Sequence, residues 1–121
     1  MDTSKSPEGE VFVAGVSVFS GRPDPTWPVP PEDARRLRAV WDSLGPHEGG
    51  PAPLPPVLGY RGCYLREQGG REWVAYRGVA TLKSAGGAEA RRDDGREFER
   101  QLLATAPEGS IPRPVLESEF R

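Results

Sequence analysis

Leu58-Gly-Tyr-Arg-Gly-Cys-Tyr-Leu65, the turn Gln68-Gly69-Gly70, and Glu72-Trp-Val-Ala-Tyr-Arg-Gly-Val-Ala-Thr-Leu82 read together as a β-hairpin. Both arms are rich in aromatic and β-branched residues, and the glycines supply the positive φ that a tight turn demands. A two-residue turn at Gly69-Gly70 sets Arg77 opposite Gly62, with Arg61 nearby. Gly59, Gly62 and Gly78 are small-residue gaps that allow close backbone approach. Tyr60, Tyr64, Trp73 and Tyr76 give the hairpin four aromatics. The period of two puts Tyr60 and Tyr64 on one face without saying which face is inside.

Upstream, Val11 to Phe19 reads as a strand with apolar side chains on both faces, hence central in its sheet, with Gly15 marking a bulge. Ser20 to Pro31 then carries Pro23, Pro25, Pro28, Pro30 and Pro31. Each proline fixes its own φ and pushes the preceding residue toward extended geometry, so this stretch is rigid and cannot be an interior strand. A helix follows from Pro31 to Leu44. Glu32 and Asp33 complement its positive start, and Ala34, Leu37, Val40, Trp41 and Leu44 form one apolar face. Residues 45–57 have no periodicity and read as a surface loop.

Downstream, Lys83 to Arg92 reads as a polar linker. A second helix runs from Gly95 to Ala106, with Asp94 as cap and Glu97 completing a capping-box pattern. Ile111 to Leu116 is open as a fourth strand. The order β-α-β-β-α implies an α+β two-layer sandwich, a small and mostly antiparallel sheet covered by two helices. Residues 10–116 form that single domain, between a disordered lead at 1–9 and a tail at 117–121.

Composition narrows the function. The 121 residues carry a net charge of −2, with acidic and basic residues intermixed, as in Arg91-Arg92-Asp93-Asp94 and Arg96-Glu97-Phe98-Glu99-Arg100. Such runs read as a solvated surface, not the basic stripe of a nucleic-acid binder. Cys63 is the single cysteine and His47 the single histidine, which speaks against a disulfide or a zinc cluster. No cofactor or metal is expected. The first ten residues lack the apolar core of a signal peptide, and no run approaches membrane-spanning length, so the chain reads as cytoplasmic with no membrane partner. Of 16 Lys and Arg, only Lys5 and Lys83 are lysines, and Gly and Pro number 15 and 14. This bias, typical of a GC-rich genome, weakens any argument that a particular Arg or Pro was selected for function.

The Ser20–Trp27 segment has two readings. As a site, Arg22 clamps a carboxylate or phosphate, Asp24 is held between two prolines, and Trp27 offers a stacking surface. As a structural corner, Trp27 folds into the core. Arg61 and Arg77 on the hairpin join Arg22 in a candidate anion site. Cys63 lacks a recognisable base partner, so it reads as a small buried hydrophobe.

The segment Ser20-Gly21-Arg22-Pro23-Asp24-Pro25-Thr26-Trp27 after a short strand, with Leu58-Gly59-Tyr60-Arg61-Gly62 and Asp94-Gly95-Arg96-Glu97-Phe98-Glu99 behind it, resembles a group of small uncharacterised bacterial proteins. The resemblance covers most of residues 11–106. It implies a self-contained domain and brings no activity with it. The sequence therefore points first to a non-enzymatic protein- or peptide-interaction module, with the Ser20–Trp27 corner and the 58–82 hairpin as its surface. A free sheet edge leaves homodimerisation open. The alternative is a small-molecule or anion-binding domain, or a small enzyme, with a site lined by Arg22, Asp24, Arg61 and Arg77.

Overall fold

The computed structural model describes residues 11–18, 23–48 and 60–120. Within them the chain is an α+β fold with one seven-stranded antiparallel sheet and three α-helices. In chain order these are β1 Phe12–Val16, β2 Thr26–Val29, α1 Pro31–Ser43, β3 Gly45–Pro46, β4 Cys63–Glu67, β5 Glu72–Tyr76, β6 Val79–Ser84, β7 Gly87–Arg92, a 3₁₀ turn Asp94–Arg96, α2 Glu97–Ala104 and α3 Arg113–Glu119. The strands lie side by side as β2-β1-β4-β5-β6-β7-β3.

The sheet is larger than the hairpin implies, for two local reasons. The run Glu72–Leu82 is two strands, because Arg77 (φ 45°) and Gly78 (φ 95°) form a two-residue turn between paired Tyr76 and Val79. Positive φ at both central residues matches the twist of the flanking strands. Lys83 to Arg92, expected as a linker, continues β6 and returns as β7 across Ala85-Gly86. Its Ala and Gly residues have poor strand propensity, and pairing with a formed neighbour overrides it.

The register of β4 against β5 is also one step from the two-residue expectation. Cys63 pairs with Ala75 and Arg66 with Glu72, and Glu67 N–H donates to Arg71 O. The loop is therefore the three residues 68–70. Gly62, at φ 106°, interrupts the pleat before β4, so Tyr60 and Tyr64 lie on different faces. Gly15 makes no bulge. It is paired on both sides, and a Cβ there would collide with the Tyr64 ring lying over it.

β2 stands at the sheet edge, the position in which Pro28 costs no ladder hydrogen bond. Directly paired residues share a face. Trp27, Ala14, Leu65, Trp73 and Leu82 thus make one row across five strands. This row packs with Leu37 and Trp41 of α1 and with Phe98 and Leu102 of α2. Each large side chain withdrawn from water there contributes about 1.5–3 kcal/mol.

α1 leaves β2 at one sheet edge and delivers the chain to β3 at the other, about 20 Å on. Its last turn contains no basic residue. Arg91 of β7 supplies the cation, donating to Trp41 O at 2.8 Å with its guanidinium 4.5 Å from the indole ring. Asp93, one residue before the expected cap, receives Phe98 N–H at 2.8 Å and Glu99 N–H at 3.0 Å and so starts α2. Ile111–Leu116 does not pair as a strand. Pro112 and Pro114 suit a helix start, and α3 runs on past residue 116, where the sequence reading ends the domain.

Candidate functional site

Glu99 is an ionisable side chain with no exposed surface, set among the apolar residues of α2. Burying a carboxylate without partners is very costly, and four donors converge on it. Arg96 binds it bidentately, Nε to Oε1 and Nη2 to Oε2, both at 2.9 Å. The backbone N–H of Arg77 donates to Oε1 at 3.0 Å. The hydroxyl of Tyr60 donates to Oε2.

The backbone is shaped for this convergence. Arg77 and Arg96 (φ 57°) are the two non-glycine residues with positive φ among the described residues, and both contact Glu99. Such conformations cost of order 1–3 kcal/mol and persist where the surroundings over-determine them. The Arg77 turn hands its N–H to the carboxylate, and Arg96, at the start of α2, sends its guanidinium forward to Glu99 in the first turn of that helix.

A second carboxylate extends the chain of charges. Glu119, on the last turn of α3, accepts from Arg77 Nε at 3.1 Å and Nη2 at 2.6 Å. Arg96 Nη2 reaches Glu119 Oε1 at 3.2 Å, and Arg96 Nη1 reaches the Glu119 carbonyl at 2.9 Å. The charges thus alternate as Arg77, Glu119, Arg96, Glu99. Paired guanidinium–carboxylate forks are the strong, geometrically specific form of ion pair. Arg77 draws the Glu119 carboxyl below its usual range, against the opposing effect of burial. The Glu99 fork raises Arg96 further above the ordinary guanidinium value.

Aromatic rings close the site. Phe120 lies edge-on to Tyr60 at 6.4 Å, with Arg96 4.2 Å and Arg100 5.0 Å from its ring centre. Tyr60 leans on Tyr76 at 5.9 Å. Burial, with the charge of Glu99 beside it, pushes the Tyr60 phenol far above its usual range. The same two causes push up the thiol of Cys63, which lies 3.9 Å from the carbonyls of Ala75 and Glu99. A buried thiol held protonated is a poor nucleophile. No group of three or more His, Cys, Asp or Glu among the described residues could hold a metal ion. No helix among them is long and apolar enough to cross a membrane.

The residues singled out in the sequence distribute differently. Arg22 lies outside the described residues. Trp27 is a core residue, 2% exposed, whose indole N–H donates to Thr105 Oγ1 at 2.8 Å. Asp24 receives the Val18 N–H at 3.0 Å and stands 3.9 Å from Arg61. Asp24 and Arg61 are thus brought together as an ion pair, while Arg77 joins Glu119 and Glu99. Glu99, Arg96, Glu119 and Phe120 escaped the sequence reading. Arg96-Glu97-Phe98-Glu99-Arg100 looks like a solvated run, yet Glu99 precedes Leu102 and Leu103 by three and four residues. That helical spacing placed it on the buried face.

Beside this cluster an apolar groove of about 570 Å³ separates the end of α2 from α3. It is lined by Leu103, Ala104, Ala106, Ile111, Pro112 and Leu116. A shallower recess next to it is bounded by Arg100, Leu103, Leu116 and Phe120. Comparison of the chain with known proteins found no family model, no curated protein and no solved structure that matches it.

Proposed function

We propose that the protein is a non-enzymatic interaction module that binds another protein or a peptide at its α2–α3 end. The observation that carries this reading is the groove: about 570 Å³, walled by Leu103, Ala106, Ile111 and Leu116, with Arg100 and Phe120 at its flank. Beside those aliphatic residues the groove is lined by Glu108, Arg113 and Glu117. The groove walls are mainly aliphatic, a surface suited to side chains of a partner, and Arg and aromatic residues at its margin are typical interface anchors. The interaction surface moves away from the Ser20–Trp27 corner because Trp27 is enclosed, whereas Arg77 of the hairpin stays beside it. In this reading the domain is a two-layer sandwich, with α1 and α2 packed on the row from Trp27 to Leu82.

Peptides selected on the full-length protein by display, then mapped by amide chemical shifts, test the proposal. Perturbations are expected at Leu103, Ala106, Ile111 and Leu116, and Leu116→Glu should weaken binding at least about tenfold. That loss is about 1.4 kcal/mol. Binders that map only to the β6–β7 end, or no binder tighter than about 1 mM, would overturn it.

A further inference from the structure

The cluster around Glu99 is unequal in its attachments. Its floor is rigid: Arg96 is clamped by a fully enclosed carboxylate, the Arg77 turn is tied to the same carboxylate, and Tyr60 donates to it. Its cover is not. α3 has seven residues, buries none of them fully, and starts at Pro112 without a side-chain cap. A helix that short has little stability of its own in water, so its seat depends on the groove contacts and on its end, Glu119 and Phe120.

Those two residues fill two different subsites. Glu119 takes the fork of Arg77 and a further donor from Arg96. Phe120 takes the space between Tyr60 and the guanidinium groups of Arg96 and Arg100. Glu99 already neutralises Arg96, so Arg77 and Arg100 leave the rim with an excess of positive charge toward whatever occupies it. The Arg77 side chain is 51% exposed and Glu119 10%, so the fork is reached from solvent on its Arg77 side while the bound carboxylate is largely covered.

Building on the interaction reading, we propose that this arginine–aromatic cradle is a binding site for a partner peptide bearing an acidic residue followed by an aromatic one. The chain's own Glu119-Phe120 is its resident, displaceable occupant. A partner segment with the same pair would satisfy Arg77, Arg96 and the Tyr60–Arg100 subsite in its place. Its flanking apolar residues would cover Leu103 and Ala104 of α2, the groove wall that remains when α3 is displaced.

The test uses the full chain and an amidated, fluorescein-labelled peptide with the sequence of residues 112–120. The Glu119→Gln/Phe120→Ala variant, whose own occupant is weakened, should bind the peptide at least about tenfold more tightly than the wild type, because competition in cis lowers apparent affinity by the occupied fraction. Replacing the peptide glutamate that corresponds to Glu119 by glutamine should abolish the gain, and the same change at the position of Glu117 should not. Adding Arg77→Asn, which tolerates the turn's positive φ, should also abolish it while the urea midpoint stays unchanged. The proposal is overturned if the folded variant binds no peptide at millimolar concentration or binds it no better than the wild type does. It is equally overturned if the variant takes α3 only from a second copy, seen as a dimer that ignores free peptide. If display-selected peptides still map to the groove in any of those cases, the acidic–aromatic assignment fails alone. If they do not, the interaction reading fails with it.

Discussion

The corner from Pro23 to Trp27 and the cluster around Glu99 are both rigid, but by opposite means. The corner is stiff through its covalent structure: Pro23 and Pro25 restrict the backbone, Asp24 ties back to Val18, and Trp27 is sunk in the core. The Glu99 cluster has no proline and is held by charge. Arg77, Arg96, Tyr60 and Glu119 come from four separate parts of the chain and meet through two carboxylates. The corner ends in an enclosed indole with its one polar atom satisfied. The cluster ends at the surface, on an exposed guanidinium and a short helix. In the described part of the corner, stiffness in sequence accompanies an enclosed indole, whereas the charged cluster forms where tertiary contacts gather dispersed residues.

The largest expected effect separates the two directly. Glu99→Ala leaves Arg96, the Arg77 N–H and the Tyr60 hydroxyl without their shared acceptor. Breaking a buried pair on one side typically costs about 3–5 kcal/mol, a large part of the stability of a small domain. Urea unfolding should show that loss. A cost below about 1 kcal/mol, the size of an ordinary hydrogen bond, would mean that Glu99 is not the organising group.

Trp27→Phe keeps much of the ring in the core and removes the bond to Thr105. A loss of about 1–2 kcal/mol is expected, an ordinary hydrogen bond plus a small packing defect, with no change in peptide binding. Abolished binding at unchanged stability would return the corner to the functional surface.

The smallest effect is on pH. Glu119 has its folded-state pKa lowered by Arg77, with Arg96 assisting, so its contribution is complete above the unfolded carboxylate value of about 4.3. It is lost as pH falls through the lowered folded value. Asp93 has the opposite sign: burial raises it, so its contribution is complete below about 3.9 and is lost as pH rises through the raised value. Asp93 caps α2 and makes its bonds to Phe98 and Glu99 rather than to α3. Amide shifts of Leu116 to Phe120 should therefore move toward those of an unstructured segment on acidification below about pH 4.3, before those of β4 and β5 change. Simultaneous movement of both regions would show that α3 is not separately attached.

Parts of the fold were legible because they depend on neighbours in sequence. The apolar spacing of α1 located it to within a residue at its C-terminal end, and Pro28 barred β2 from the sheet interior. The turn at Arg77-Gly78 was missed because arginine is a rare occupant of positive φ. β7 was missed because its two alanines and one glycine favour no strand without a partner. Of the residues nominated for a site, Arg77 belongs to the Glu99 cluster, and Asp24 and Arg61 pair with each other elsewhere.

What the sequence determined alone is what covalent restriction and periodicity settle within a few residues: the first strand, the proline-stiffened corner, the first helix and a glycine-turned hairpin. Only the tertiary structure decided that Glu99 is enclosed, that Arg77 and Arg96 share it, and that Glu119 and Phe120 return to cover them. A carboxylate is tolerated inside a protein only when donors reach it from several directions. Those donors lie 3, 22 and 39 residues away along the chain, so the arrangement exists in space and has no local signature.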